Sequence, residues 1–310
     1  MLTLLLACLA ADGVLRLPPP EVGAALLDLV LVRDLREPPA GRQRPWPPGL
    51  EPSGIIRGRA DDRWFWLLND SGNRPRLYAV DAAGRDAPPP DVGEPGVLVE
   101  GVANVDWEEL AALPGGRLLV CDTGNNDNAR RDLNLIEVPE PDPAARSVAP
   151  LARYLVAFAD QTEFPPTLRG RNFDCEAVYA VGRSVRLLTK HRGDALARVY
   201  ELGPLAEGRV NVARPVRTVD FGGMVTAADA SPDGRRLLVL TYRTLWLLER
   251  GEPGDFFDGS ARVSRANFVA GQAEAVCFET PETALIAEER TGRLYRADLG
   301  ELAAAASSGQ

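Results

Sequence analysis

Residues 105–126 read VDWEELAALPGGRLLVCDTGNN, and residues 133–138 read LNLIEV. Two apolar runs of strand length flank the turn sequence Pro114-Gly115-Gly116, and the second run ends in small polar residues. Apolar runs of this length, separated by turn residues, are typical of antiparallel β-strands. The stretch therefore predicts three consecutive strands joined by tight turns.

The same arrangement recurs along the chain. Further copies cover residues 173–194, 225–243 and 273–290, and the most divergent copy begins at Pro52. Apolar runs that could supply a fourth strand end at Glu100, Asp160, Phe221 and Val269. Four-stranded units repeated around an axis are the signature of a β-propeller. No long amphipathic helix pattern interrupts the repeats.

The last copy has no fourth strand after Leu299, but residues 26–35 (LLDLVLVRDL) form a strand pattern without a unit of their own. Pairing this segment with the last copy would close the ring and remove two exposed edges. The sequence therefore predicts an all-β, single-domain, five-bladed β-propeller over residues 25–300, closed by the N-terminal strand. The proline-rich residues 36–52 and 139–150 are predicted to be surface connections.

Composition limits the classes of partner. The chain has 310 residues and a formal net charge of −9, which disfavours nucleic acid and is compatible with a bound cation. No CxxC pair suggests zinc, and Cys121, Cys175 and Cys277 fall in predicted strands, where burial is the expected environment. Beyond the N-terminus, no run is apolar enough to span a bilayer, and a monomer is expected.

The N-terminal residues 1–12 read MLTLLLACLAAD. The run from Leu4 to Cys8 resembles the lipobox of bacterial lipoproteins, which predicts export and a lipid anchor at Cys8. An ordinary apolar segment is the alternative interpretation. The export interpretation places the protein outside the cytoplasm, either periplasmic or lipid-anchored. Residues 301–310 are predicted to be a C-terminal tail.

The first strand of each propeller blade lines the central axis. Aligning the copies by their turns brings five oxygen-bearing residues to one inner-strand position: Ser53, Glu108, Glu176, Thr226 and Glu274. Three crowded carboxylates must either hold protons or surround a cation. Oxygen-only ligands favour Ca²⁺ over Zn²⁺. The sequence thus predicts a calcium ion at the axis; the alternative is a water-filled pore with protonated or arginine-paired glutamates.

This ring resembles that of the calcium-activated nucleotidases (apyrases), whose inner-strand positions run Ser, Glu, Glu, Ser, Glu. The strand starts SGII, WEEL, CEAV and AEAV are similar to those of the family, and Thr226 replaces a serine while keeping the hydroxyl. The resemblance covers the ring and the blade count, and it implies a five-bladed propeller with one central calcium. Phytase-like extracytoplasmic propellers are more distantly similar.

Polar residues collect on the predicted rim above the axis. Asp106, Asp174 and Glu288 are the candidate general bases, and His191 is the only histidine. The rim also contains Asp70 and Glu289, to which the sequence assigns no role. The candidate ligand-binding residues are Lys190, Arg192, Arg290 and Asp122. Turn formation and ion pairing are the alternative interpretation of each single residue.

A cation beneath basic side chains suits an anionic small molecule. The leading hypothesis is therefore a calcium-dependent hydrolase of a phosphate ester or anhydride. The alternatives are a non-catalytic binding propeller with structural calcium, and an ester or lactone hydrolase. The fold alone does not choose among them.

Overall fold

The computed structural model describes residues 8–9, 12–21, 23–37, 50–87, 94–252 and 255–302. Three strands precede the repeats: β1 (Cys8–Leu9), β2 (Val14–Arg16) and β3 (Leu29–Asp34). The strands of the first unit are β4 (Pro52–Arg57), β5 (Phe65–Asn69), β6 (Arg76–Val80) and β7 (Val97–Val99). Most of the predicted export segment, and residues 38–49 of the first proline-rich connection, lie outside the described residues.

The second unit consists of β8 (Trp107–Leu113), β9 (Arg117–Asp122), β10 (Asn134–Pro139) and β12 (Ala152–Phe158), with the short β11 (Ser147–Val148) before its last strand. The third unit consists of β13 (Cys175–Val181), β14 (Ser184–Thr189), β15 (Ala197–Leu202) and β16 (Val210–Asp220). One turn of 3₁₀ helix, Leu168–Gly170, lies between these two units.

The fourth unit consists of β17 (Val225–Ala230), β18 (Arg236–Thr241), β19 (Thr244–Glu249) and β20 (Arg262–Asn267). The fifth contains β21 (Ala273–Phe278), β22 (Thr283–Glu288) and β23 (Arg293–Asp298). Its fourth strand is β3, which pairs antiparallel with β23 and brings Leu29 opposite Ala297. The N-terminal strand therefore completes the last unit, as the sequence predicts.

The first strands of successive units lie side by side around an axis. β4 lies against β8, β8 against β13, β13 against β17, and β17 against β21, which returns to β4. Together with the predominance of β-structure, this closed ring confirms the predicted single all-β propeller domain. The antiparallel order within each unit follows from the tight turns between apolar runs.

Apolar layers fill the spaces between neighbouring units. Trp66 and Trp107 pack between the first two units, and Trp246 packs between the third and fourth. Each of the three tryptophans is at most 1% exposed. Complete burial of a large apolar side chain contributes about 1.5–3 kcal/mol, so these layers hold the units in their circular order. Cys121, Cys175 and Cys277 are buried free thiols in these strands, as expected.

Some pairings join different units. β12 pairs in parallel with β16, so the second and third units share one continuous sheet. β2 adds to β16 on the same sheet. β11 pairs in parallel with β7, so part of the segment 139–150 is a strand of the first unit rather than a surface connection. None of the helices formed by the described residues has the length and apolar character needed to cross a membrane.

Candidate metal centre at the axis

The five predicted ring residues share one structural position. Each is the second residue of the first strand of its unit, and the strand register shifts at that residue in all five units. A β-bulge places two residues opposite one and redirects a side chain. We call Ser53, Glu108, Glu176, Thr226 and Glu274 the inner ring; all five are buried.

The hydroxyl groups of the inner ring tie neighbouring units together. Ser53 Oγ donates to the carbonyl oxygen of Trp107 at 2.7 Å, and Thr226 Oγ1 donates to that of Ala273 at 2.9 Å. Trp107 and Ala273 are the first residues of the next inner strands. Both hydroxyl protons are therefore used within the protein, while the oxygen lone pairs stay available to a cation.

A second ring lies immediately beside the first. It consists of the residues that directly follow the second strand of each unit: Asp70, Thr123, Lys190, Tyr242 and Glu289. We call this set the outer ring. Its members contact the inner ring directly in the third and fourth units: Lys190 Nζ lies 2.9 Å from Glu176 Oε2, and Tyr242 donates to Glu274 Oε1 at 2.7 Å.

Lys190 is buried between two inner-ring carboxylates. Its Nζ lies 2.9 Å from Glu176 Oε2 and 3.4 Å from Glu274 Oε1, and it sits 5.2 Å from the centre of the Tyr242 ring. Burial by itself lowers the pKa of a lysine, but Glu176 and Glu274 outweigh it and raise the pKa of Lys190. Lys190 is therefore charged.

Glu274 accepts several hydrogen bonds at a single oxygen. Gln272 Nε2 donates to Glu274 Oε1 at 3.1 Å, in addition to Tyr242 and Lys190. Burial raises the pKa of Glu274, but Lys190 and these donors lower it below its usual value. On this side of the inner ring, donors and the ammonium group of Lys190 lie against both carboxyl groups. They hold the pKa of Glu274 low, whereas burial and Asp174 raise the pKa of Glu176 well above its usual range despite Lys190.

The opposite side carries carboxyl groups without such matching. Oxygen atoms of Asp70, Asp106 and Glu108 all lie within 4.8 Å of one another. Asp70 and Asp106 are partly exposed, whereas Glu108 is buried beneath them. Glu289 completes the group, because its carboxyl contacts both Glu274 and Asp70.

The crowding and burial of these carboxyl groups raise their pKa values. Burial first, and then the negative charge of Glu176 and Asp70, raise the pKa of Glu108 well above its usual range. Burial, with Asp70 and Asp174, raises the pKa of Asp106 to about 6. Burial, with Glu274 and Asp70, raises the pKa of Glu289 to about 8. In the absence of a cation, Glu108 and Glu289 therefore hold protons at neutral pH, whereas Asp106 holds one only below about pH 6.

The donor set fits a hard cation. Asp70, Asp106 and Glu108 offer only oxygen ligands, with the hydroxyl of Ser53 in the neighbouring inner-ring position, and Ca²⁺ prefers such ligands. The carboxyl groups at the axis exceed the nearby cationic groups, and a metal ion would relieve that excess. The fit is better on this side of the axis than at its centre, because Lys190 occupies the Glu176–Glu274 side.

The remaining predicted site residues have fixed partners. Asp174 accepts from Arg192 Nε at 2.6 Å and from the Asn125 backbone N–H at 2.7 Å. Asp122 forms an ion pair with Arg130 at 2.9 Å. These ion pairs correspond to the structural role that the sequence analysis kept as an alternative.

Three other predicted residues lie apart from the cluster of carboxyl groups at the axis. His191 is buried, which lowers its pKa, and the charges that act on it belong to Asp194, Asp220 and Arg198 rather than to the inner ring. Glu288 accepts from the Tyr295 hydroxyl at 3.4 Å within its own unit. Arg290 is exposed. The structure places Glu289, not Glu288, beside the inner ring.

Asp70 and Glu289 are the residues to which sequence reasoning gave no role. A signal for them exists: both directly follow the second strand of a unit, as Lys190 and Tyr242 do. If the copies of the repeat are aligned at the end of the second strand, these residues fall at one shared position, just as the inner-ring residues do in the first strand.

No protein-family model matches this chain, and no curated protein matches it. Among solved structures, hydrazine synthase of Kuenenia stuttgartiensis is 10% identical to this chain, with a TM-score of 0.43. The match covers 80% of this chain and 71% of the hydrazine synthase chain. A protein described as a candidate gluconolactonase is 12% identical, covers 90% of this chain and 93% of its own, and also scores 0.43. The class that the strand arrangement defines is the β-propeller. The resemblance to calcium-activated nucleotidases stays a prediction.

Proposed function

We propose that this propeller binds a calcium ion at the axial mouth and uses it to hydrolyse a phosphate ester or anhydride outside the cytoplasm. One observation carries the cation site: six carboxyl groups meet there, and Lys190 is the ammonium group among them. The six are Asp70, Asp106, Glu108, Glu176, Glu274 and Glu289. Such crowding of carboxyl groups, three of them buried, favours a bound cation over their protonation.

Asp70, Asp106 and Glu108 are the residues that would hold the ion, with the Ser53 hydroxyl beside them. Glu108 lies buried at the base, and the two aspartates are partly exposed above it. This arrangement leaves the solvent side open to a ligand, as catalytic metal sites require. A bound calcium ion supplies positive charge for phosphate oxygens and orients a water molecule.

Asp106 is the best candidate for a proton acceptor among the predicted bases. It is partly exposed, it belongs to the carboxyl group at the mouth, and its pKa of about 6 lies close to neutrality. Asp174 is committed to Arg192, and Glu288 and His191 lie elsewhere. Glu289, with its pKa of about 8, can hold a proton beside Asp70.

A non-catalytic propeller with structural calcium is the second candidate. Arg192 is paired with Asp174, Arg130 with Asp122, and Lys190 with Glu176. Basic side chains that are already paired within the protein attract an anionic ligand less strongly than free ones. This observation favours a scaffold that calcium stabilises.

Calcium is expected to raise the melting temperature of the chelator-treated protein by about 5 °C at a concentration one hundred times its dissociation constant, because binding to the folded state alone adds about 2.7 kcal/mol. Glu108→Gln should lose most of this rise, since it removes a charged ligand. Elemental analysis should find calcium in the purified parent protein. An unchanged melting temperature, with no bound calcium, would contradict the cation site.

The reaction is tested by phosphate release from nucleoside diphosphates, phytate and a generic phosphodiester, with calcium or with chelator. We expect calcium-dependent release from at least one of them. At saturating calcium, Asp106→Asn should lower that release by about 10²-fold or more if Asp106 accepts the proton, whereas a loss that higher calcium restores would assign Asp106 to calcium binding alone. Calcium binding without release from any substrate would instead support the scaffold.

A further inference from the structure

The inner ring is chemically asymmetric around the axis. β17 lies between β13 and β21, so the neutral Thr226 stands between Glu176 and Glu274. Lys190 spans the same interval, since its Nζ is 2.9 Å from Glu176 Oε2 and 3.4 Å from Glu274 Oε1. The ammonium group therefore connects the third unit to the fifth. The fourth unit, which lies between them, supplies no carboxylate to the inner ring.

The environment of Lys190 holds the ammonium group in this position. The side chain is 6% exposed, and its Nζ faces the Tyr242 ring at 5.2 Å. Tyr242 in turn donates to the Glu274 oxygen that Lys190 contacts. A buried lysine with two carboxylate partners is a well-compensated charge. Its removal leaves Glu176 with the more distant guanidinium group of Arg192, at 3.7 Å, and Glu274 with the neutral donors Tyr242 and Gln272.

We infer that Lys190 is a tethered cation that substitutes for a metal ion on the Glu176–Glu274 side of the axis. It confines a bound divalent ion to the side formed by Asp70, Asp106 and Glu108, and it weakens the binding of that ion. The second part, the confinement and weakening of the binding of that ion, rests on the proposed cation site. The first part, the compensation of Glu176 and Glu274, concerns the protein without metal.

Like charges repel strongly at short range. An ammonium group that contacts two of the three inner-ring glutamates repels a divalent ion at the centre of the ring. It also takes up the two carboxylates that such an ion would need. Without Lys190, the inner ring would present Glu108, Glu176 and Glu274 together, with the hydroxyls of Ser53 and Thr226, which is the symmetric site expected from the sequence.

The experiment is calorimetric titration of calcium into the parent protein and into Lys190→Gln, both treated with chelator and then desalted. Lys190→Gln should bind calcium at least about tenfold more tightly, because a nearby positive charge is removed. Its melting temperature in chelator should fall below that of the parent, and calcium should restore it. A merely structural lysine would give the loss of stability without the gain in affinity.

Two controls isolate the charge of Lys190. Tyr242→Phe removes a hydrogen bond to the same Glu274 oxygen and keeps the lysine, while Arg198→Gln removes a positive charge that is paired with Asp194. Both should keep the calcium affinity of the parent within about twofold. If Lys190→Gln does not fold, Lys190→Gln combined with Glu274→Gln removes the charge pair together; it should fold in chelator and bind calcium at least as tightly as Glu274→Gln.

The outcomes separate this inference from the proposed function. Calcium binding by Lys190→Gln but not by the parent would establish the tethered cation and overturn the proposed function. Calcium binding by the parent with no gain in Lys190→Gln would overturn the inference and leave the proposed function intact. Absence of binding in both proteins, with calcium at millimolar concentration, would overturn the proposed function and the second part of the inference. An unchanged melting temperature of Lys190→Gln in chelator would overturn the first part.

Discussion

At pH 8, the free energy of unfolding of the Asp229→Asn variant is expected to be about 2–4 kcal/mol higher than that of the parent protein. Asp229 lies on the inner strand β17 and is only 5% exposed, and its carboxylate accepts a hydrogen bond from the backbone N–H of Phe278 at 2.9 Å. Burial raises its pKa from 3.8 to about 7, against the opposing effect of Arg59. Asparagine keeps a carbonyl oxygen for Phe278 and has no charge to desolvate.

The pH dependence follows from the direction of this shift. Below pH 3.8, Asp229 is protonated in both the folded and the unfolded chain. Between pH 3.8 and about 7 the folded protein retains the proton that the unfolded chain has lost, so stability falls as the pH rises. Above pH 7 the loss is complete. The difference between variant and parent should therefore be small at pH 4 and largest at pH 8, as measured by urea denaturation at both values.

Asp233→Asn is the matched control, because it lies in the same unit and shifts in the opposite direction. The hydrogen bond from Ser231 and the Arg235 backbone N–H lower the pKa of Asp233. Its contribution is present above the unfolded pKa and is lost as the pH falls, so the asparagine variant should lose stability at pH 8. A gain at pH 8 in both variants would show that removal of net negative charge, not burial, is the cause.

Gly54→Val is expected to destabilise the protein by about 2–3 kcal/mol, since overpacking at a rigid contact costs this much. A Cβ atom at Gly54 would lie 3.0 Å from Glu109 Cα and 3.0 Å from the backbone nitrogen of Leu110. Both atoms belong to the backbone of β8, so no side chain can rotate away. The inner strands β4 and β8 meet here, directly beside the Ser53 position of the inner ring.

The measurement for Gly54→Val is the midpoint of denaturant unfolding, compared with that of Gly251→Ala. Gly251 is exposed, and a Cβ there would meet no atom within 4 Å, so the control should change stability by less than about 0.5 kcal/mol. Equal midpoints for Gly54→Val and the parent would mean that the two inner strands separate more easily than their packing indicates.

The repeat in the sequence was sufficient to predict the propeller and the inner ring. Turn residues at fixed offsets align the copies, and the alignment gives the strand order and the position of Glu108, Glu176 and Glu274. Closure by β3 followed from the missing strand of the last unit and the unassigned strand near the N-terminus. Such features are local patterns, repeated several times, and each copy supports the others.

The outer ring was harder to predict because its members share a position but no chemistry. Asp70 and Thr123 lie in sequences that are also ordinary turns, and Lys190 and Glu289 each stand next to another ionisable residue. Whether Lys190 or His191 faces the axis depends on a shift of one residue, which strand patterns do not fix. The same ambiguity separates Glu288 from Glu289.

The strand pairings between different units could not be predicted from the sequence either. β11 has two residues and β2 has three, too few to show an alternating pattern. The parallel pairing of β12 with β16 joins strands that belong to different copies of the repeat. A repeat describes what each unit has in common, whereas these contacts arise from the particular lengths of the connections.

Closure by β3 has a consequence for the order in which the protein is made. β3 is synthesised before any of the five units, but its partner β23 is synthesised after the first four of them are complete. Until β23 is made, β3 lacks its native partner, and Val30 and Leu31 are exposed even in the folded protein. Units one to four can fold in order as they are synthesised, while the fifth must pair with a strand that was made before all of them. The nascent protein therefore exposes an unpaired apolar strand until the fifth unit is synthesised, and this is the interval in which chaperone protection has the largest effect.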